Sequence, residues 1–97
     1  MTTDSRQVAA AKINELIALL KANSTPEISG LLDECTALST AIGAFHMEGI
    51  RFRIYNVDRL INRQAASLPP AAPALLEEVR HHLEAAGFHT RSHQAPA

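Results

Sequence analysis

The chain has a single cysteine, Cys35, in 97 residues, so no disulfide can close within it and one copy cannot assemble a thiolate-rich metal site. Neither sign of charge predominates. Nine Lys and Arg stand against ten Asp and Glu, which leaves no overall field to recruit nucleic acid or an anionic membrane. No apolar run approaches the roughly 18 residues that would span a bilayer. The opening MTTDSRQ lacks the basic, apolar and small-residue series of a secretion signal, and a cytoplasmic protein is expected. A glycine-rich phosphate loop, a Ser-His-Asp order, closely paired catalytic carboxylates and an internal repeat are all missing. The sequence therefore implies no cofactor, and an interaction or accessory role is expected ahead of catalysis.

What is present is enough to fold. Hydrophobic residues make up 46% and charged residues 20%, the balance of a globular protein rather than a disordered one. A chain this short is one domain and buries only about 60–70% of its unfolded surface, so self-association would help it.

Punctuation and periodicity predict an all-α protein. A first helix over 4–22 opens at Asp4 or Ser5, carries Val8, Ala9, Ile13, Leu16, Ile17 and Leu20 on one face, and ends at Asn23, a residue suited to a left-handed terminus. Thr25, Pro26 and Glu27 read as cap, first helical position and first-turn acid. No proline then appears until Pro69, and helical apolar spacing runs from Ile28 through Leu38, Ile42, Ile50 and Ile54 to Ile61. One long central helix over about 26–66 is expected, a rod of about 60 Å at 1.5 Å per residue. Gly30, Gly43 and Gly49 weaken it, and a kink between Gly43 and Gly49 is the alternative. Pro69, Pro70 and Pro73 form a stiff connector. A third helix over 73–86 then carries Leu75, Leu76, Val79 and Leu83, with Gly87 and Phe88 placed for a Schellman ending. Residues 1–88 form one helical domain and 89–97 a flexible tail.

Two short helices lying along such a rod would cover it once, leaving a wide apolar arc. The helical bundle is then completed as a four-helix type by a homodimer with antiparallel rods. A further protein partner is compatible with this role, whereas nucleic acid and membrane are not expected partners.

Near the centre of the rod's arc lie Leu32, Ser39, His46, Arg53 and Leu60, spaced by seven. A guanidinium there needs a carboxylate, solvent or an anionic ligand. One reading makes His46 and Arg53 seam residues that fix register. The other makes them a small-anion or polar-ligand pocket, with Arg53 as charge clamp, His46 as donor or proton carrier, and Ser39 and His82 beside them. Glu78 and His81 have the Glu-x-x-His spacing of carboxylate metal sites. They fall on the polar side of the third helix with no inward carboxylates to complete the set, and no metal site is assigned.

The string Phe45-His46-Met47-Glu48-Gly49 resembles the histidine phosphotransfer domains over five residues. In that family a lysine and then a glycine follow the histidine at the third and fourth places. Here Gly49 stands at the third, no lysine is present, and Glu48 would repel a phosphate, so phosphotransfer is not expected. Arg51, Tyr55, Arg59 and Arg63 step by four along the other side of the rod, a pattern that can bind phosphates and stack a base. Glu48 and Asp58 interleave with them and cancel much of the field. Gel-shift titrations should accordingly show no salt-sensitive RNA or DNA binding that disappears when Arg51, Arg59 and Arg63 become glutamine.

Overall fold

Four α-helices account for most of the computed structural model, which describes residues 4–23 and 25–88. Helix α1 spans Ser5–Ala22, α2 Ser29–Gly43, α3 Met47–Arg63 and α4 Ala71–Ala85. Short 3-10 turns at Pro26–Ile28 and Ala65–Ser67 lead into α2 and out of α3. Asp4 caps α1 by accepting from the Arg6 N–H at 2.9 Å. Asn23 ends that helix without the expected left-handed turn: its φ is −118°, and its Nδ2 donates to the Leu19 carbonyl at 2.9 Å. A side-chain donor satisfies a terminal carbonyl there, so no αL residue is required. Helix α4 begins two residues before the expected position 73. Pro73 sits in the first turn, where a helix leaves backbone N–H groups unpaired in any case.

The central rod expected over 26–66 is not continuous. Its halves are α2 and α3, joined by a sharp reversal at Ala44–His46. Phe45 takes φ +58°, the only positive-φ residue other than glycine among those described. Around it the Phe45 N–H reaches the Ile42 carbonyl at 3.1 Å and the His46 N–H reaches the Ala41 carbonyl at 3.0 Å. This is a Schellman ending with phenylalanine where glycine is usual. The same bonds close α4, with Gly87 at φ +98° and Phe88 N–H on the Leu83 carbonyl at 2.9 Å. A bulky side chain in the left-handed region costs about 1–3 kcal/mol.

The reversal is explained by which side chains need burial. The buried stripe of α2 is Leu31, Cys35, Leu38 and Ile42, and that of α3 is Ile50, Ile54, Val57 and Ile61. On one straight helix these stripes would point roughly a quarter turn apart, and no single helix could cover both. Bending lets each face the same core. The expected arc centre falls between the stripes, and its members are correspondingly half-buried or, for His46, exposed.

Helix α1 packs most extensively on α4, α2 on α3, and α1 also on α2. Polar bonds tie the layers: Lys12 to Glu78 at 3.1 Å joins α1 to α4, and Gln64 Nε2 to the Glu27 carbonyl at 3.0 Å joins the end of α3 to the start of α2. The result has a radius of gyration of 12.7 Å and extents of 38 × 36 × 21 Å, against about 12–13 Å for a compact chain of this length. The apolar arc is thus covered within one chain by all four helices. The expected tail, 89–97, lies outside the described residues. Among the described residues no helix is long and apolar enough to cross a membrane.

Cys35 lies in the middle of this core, fully buried, and burial, with a smaller contribution from the Glu34 carboxylate, pushes its thiol from 9.0 up to about 12. The unfolded chain ionises the thiol at its ordinary value. The stability gained by keeping it neutral is therefore complete below about pH 9 and is lost as pH rises towards 12. Equilibrium unfolding should show stability declining over that window, with a shallower decline in Cys35→Ala. Thiol reagents at pH 8 should label Cys35 no faster than the core opens.

Candidate docking groove

The reversal between α2 and α3 leaves a groove on the outer surface of about 370 Å³, lined by Ala37, Thr40, Ala41, Ala44, His46 and Arg53. Ala37, Ala41 and Ala44 recur at i, i+4 and i+7 and so share one face of α2. Half of the six lining residues are thus alanines. The Thr40 hydroxyl returns to the Thr36 carbonyl at 3.1 Å, so its proton is used within its own helix.

His46 forms one end of the groove and is the N-cap of α3: its Nδ1 accepts from the Gly49 N–H at 2.8 Å. That nitrogen carries no proton in this arrangement, which leaves Nε2 as donor toward solvent. Gly49 is required for the cap, because a Cβ there would lie 2.6 Å from His46 Nδ1. Arg53 forms the side. Its Nη1 donates to both Glu34 oxygens, at 3.1 and 3.2 Å, while Asn56 Nδ2 donates to Glu34 Oε1 at 3.2 Å. The guanidinium also lies over the Phe52 ring, 5.2 Å from its centroid. The Arg53 guanidinium in the groove is therefore paired with Glu34.

Adjacent in sequence to the lining residues Ala44, His46 and Arg53 are the largest exposed apolar side chains described: Phe45 at 63% exposure, Met47 at 49% and Phe52 at 50%. The Phe45 ring tilts against Phe88, centroids 5.5 Å apart, and takes the Arg6 guanidinium 4.9 Å from its own centroid. Arg6 Nη1 also donates to the Ile42 carbonyl at 2.9 Å, so α1 grips the end of α2 beside the bend.

Of the residues singled out from sequence, His46 and Arg53 line one groove, and Ser39 and His82 do not. The Ser39 hydroxyl donates to Asn14 Oδ1 at 3.1 Å, toward α1. His82 is half-buried on α4, its ring edge-on to that of His81 at 5.4 Å. Glu78, of the Glu-x-x-His pair, is engaged by Lys12. No group of three or more His, Cys, Asp or Glu placed to hold a metal ion occurs among the described residues.

The deeply buried guanidinium is Arg80, which sequence reasoning did not single out. Its side chain is 5% exposed, with Nη1 3.3 Å from Asp58 Oδ1 and 3.8 Å from Glu77 Oε1, while Nε and Nη2 have no hydrogen-bond partner among the described residues. Position 80 falls four after Leu76 and three before Leu83, both buried, and that spacing is the signal that marks it as inward-facing. Comparison with family models, characterised proteins and solved structures yields no match for this chain.

The two arginines should respond differently to loss of charge balance. Arg53 and Glu34 both reach solvent, so Arg53→Met should cost about 1 kcal/mol or less. Asp58→Asn should cost about 3 kcal/mol, because it strips the nearest counter-charge from a guanidinium that cannot reach water. Urea unfolding midpoints at unchanged m-value would measure both.

Proposed function

We propose that this protein is a cytoplasmic helical interaction module that associates with a second copy of itself through the α2–α3 groove. The observations that carry this reading are a groove half of whose lining residues are alanines and three large exposed side chains, Phe45, Met47 and Phe52, next to its lining residues in sequence. Space and volume lie side by side. A two-fold contact would set Phe52 of each copy over the alanines of the other, the self-complementary geometry that isologous interfaces use. At the exposures given, the three side chains offer on the order of 300 Å² of apolar surface. That supplies the centre of a small interface, with Arg53–Glu34 and Arg51–Glu48 as its polar rim.

An area of this size supports weak association, and an accessory protein that pairs reversibly can also offer the same face to another partner. A second reading, a small-anion or polar-ligand site, draws on His46 and Arg53 lining the same groove. There a ligand must compete with Glu34 for the guanidinium. It predicts a melting temperature that rises with the logarithm of phosphate concentration in the wild type and not in Arg53→Met.

Light scattering across a concentration series should give monomer mass when dilute and dimer mass when concentrated. Phe52→Glu should remove the dimer while leaving the melting temperature of the monomer unchanged. A wild type that stays monomeric throughout, or a dimer indifferent to Phe52→Glu, would exclude this surface as the interface.

A further inference from the structure

We propose that the α2–α3 reversal is a hinge, and that opening it lets two chains exchange their α3–α4 halves to form a dimer with a continuous α2–α3 helix in each. The partner is again a second copy, so the inference extends the self-association reading while requiring none of the groove contacts.

The closed corner is poorly suited to its own sequence. Phe45 holds a left-handed conformation that phenylalanine disfavours, and no proline interrupts the chain between Pro26 and Pro69. The residues of the reversal, Ala44, Phe45 and His46, are all compatible with a helix. Straightening them relieves the φ of +58° and restores the helical hydrogen bonds that the bend forgoes. A short connection under strain is the usual setting for exchange of elements between copies.

What opening would cost within one chain is recovered between two. The contacts that join the α1–α2 half to the α3–α4 half are the α1–α4 and α2–α3 packings, the most extensive in the molecule. In an exchanged dimer each is re-formed with the partner's helices, including Lys12 to Glu78 and Arg53 to Glu34. Antiparallel packing of α2 on α3 becomes antiparallel packing of two long helices. What is lost locally is the Phe45–Phe88 contact and the His46 cap. These set the balance between closed and exchanged forms.

Two substitutions move that balance in opposite directions. Met47 is the first residue of α3 and follows His46 at φ −96°, ψ 96°. Proline suits the first helical position and an extended residue before it, yet it would break a continuous helix through 43–51. Met47→Pro therefore keeps the corner closed. Gly49→Ala does the reverse, since the new Cβ meets His46 Nδ1 at 2.6 Å in the closed form and displaces the cap that holds it.

The Lys12–Glu78 pair reads out the result. Chains of the full sequence, half of them labelled with ¹⁵N, are unfolded together, refolded at high concentration, and treated with a carbodiimide, which condenses the Lys12 amine and Glu78 carboxylate into an amide. After digestion, Lys12–Glu78 linked peptides carrying one labelled and one unlabelled partner report exchange, because a closed chain or a surface dimer links only like with like. The expected result is mixed-label links in the dimer fraction, enriched about tenfold or more in Gly49→Ala and absent in Met47→Pro. Like-with-like links alone in the wild type and Gly49→Ala, or mixed links that persist in Met47→Pro, would overturn the hinge. Mixed links that survive Phe52→Glu establish exchange without the groove interface. A dimer abolished by Phe52→Glu and free of mixed links leaves the groove interface standing and removes exchange.

Discussion

Ile50 follows Ile42 by eight positions, the first buried side chain of α3 after the last of α2, and much of the architecture follows from that interval. A helix carries equivalent positions forward by about seven residues per two turns, so a spacing of eight rotates the second apolar stripe away from the first. One chain can bury both stripes against one core only if the helix is interrupted between them. The interruption is made where glycine at 43, a left-handed Phe45 and a capping His46 allow the chain to reverse within three residues. The strain at Phe45 is local, whereas each of the buried isoleucines and leucines on either side contributes about 1.5–3 kcal/mol by leaving water.

Once the chain reverses, its polar side chains meet partners they could not have met along a rod. Glu34 comes within reach of Arg53 and Asn56, Asp58 within reach of Arg80, and Lys12 within reach of Glu78. These pairs differ in weight. Where both partners reach solvent, screening leaves little net stabilisation. Arg80 is different, because two of its nitrogens are buried without hydrogen bonds among the described residues and its charge depends on Asp58. Such a pair restricts how α4 can sit on α3 more than it strengthens the contact.

The groove is a by-product of the same reversal. Between the folded-back helices a groove remains, and on the side of α2 and its cap the residues lining it are three alanines and Thr40. Had larger side chains stood at 37, 41 and 44, the gap would have closed; had Phe52 been polar, it would have no complement. The same short segment bounds the groove and forms the bend. The docking and the opening proposed for this corner therefore draw on one region, and the Phe45 ring, held by Phe88 and Arg6, links it to the ends of α1 and α4.

Local features were legible in the sequence wherever one residue type answers a backbone requirement. Asp4 as a cap, Pro26 at a helical start and Gly87 with Phe88 as a Schellman ending are of this kind, as is the all-helical character that the apolar spacing dictates. His46 and Arg53 were also legible as polar residues amid apolar neighbours, although their role was not. Where helix propensity and packing disagreed, the sequence alone could not decide. Nothing local forbids a helix through Ala44–His46, and Phe45 is among the last residues expected at positive φ. Tertiary burial of two mis-phased stripes outweighed that preference and replaced the rod with α2 and α3. It also made His46 the cap of α3 and gave Arg53 a carboxylate partner in Glu34. The buried guanidinium fell instead to Arg80, whose spacing from Leu76 and Leu83 pointed inward but whose counter-charge, Asp58, only the packing of α4 on α3 supplied. Periodicity determines which face of a helix is apolar. Only the assembled core determines where a helix must stop so that all such faces meet.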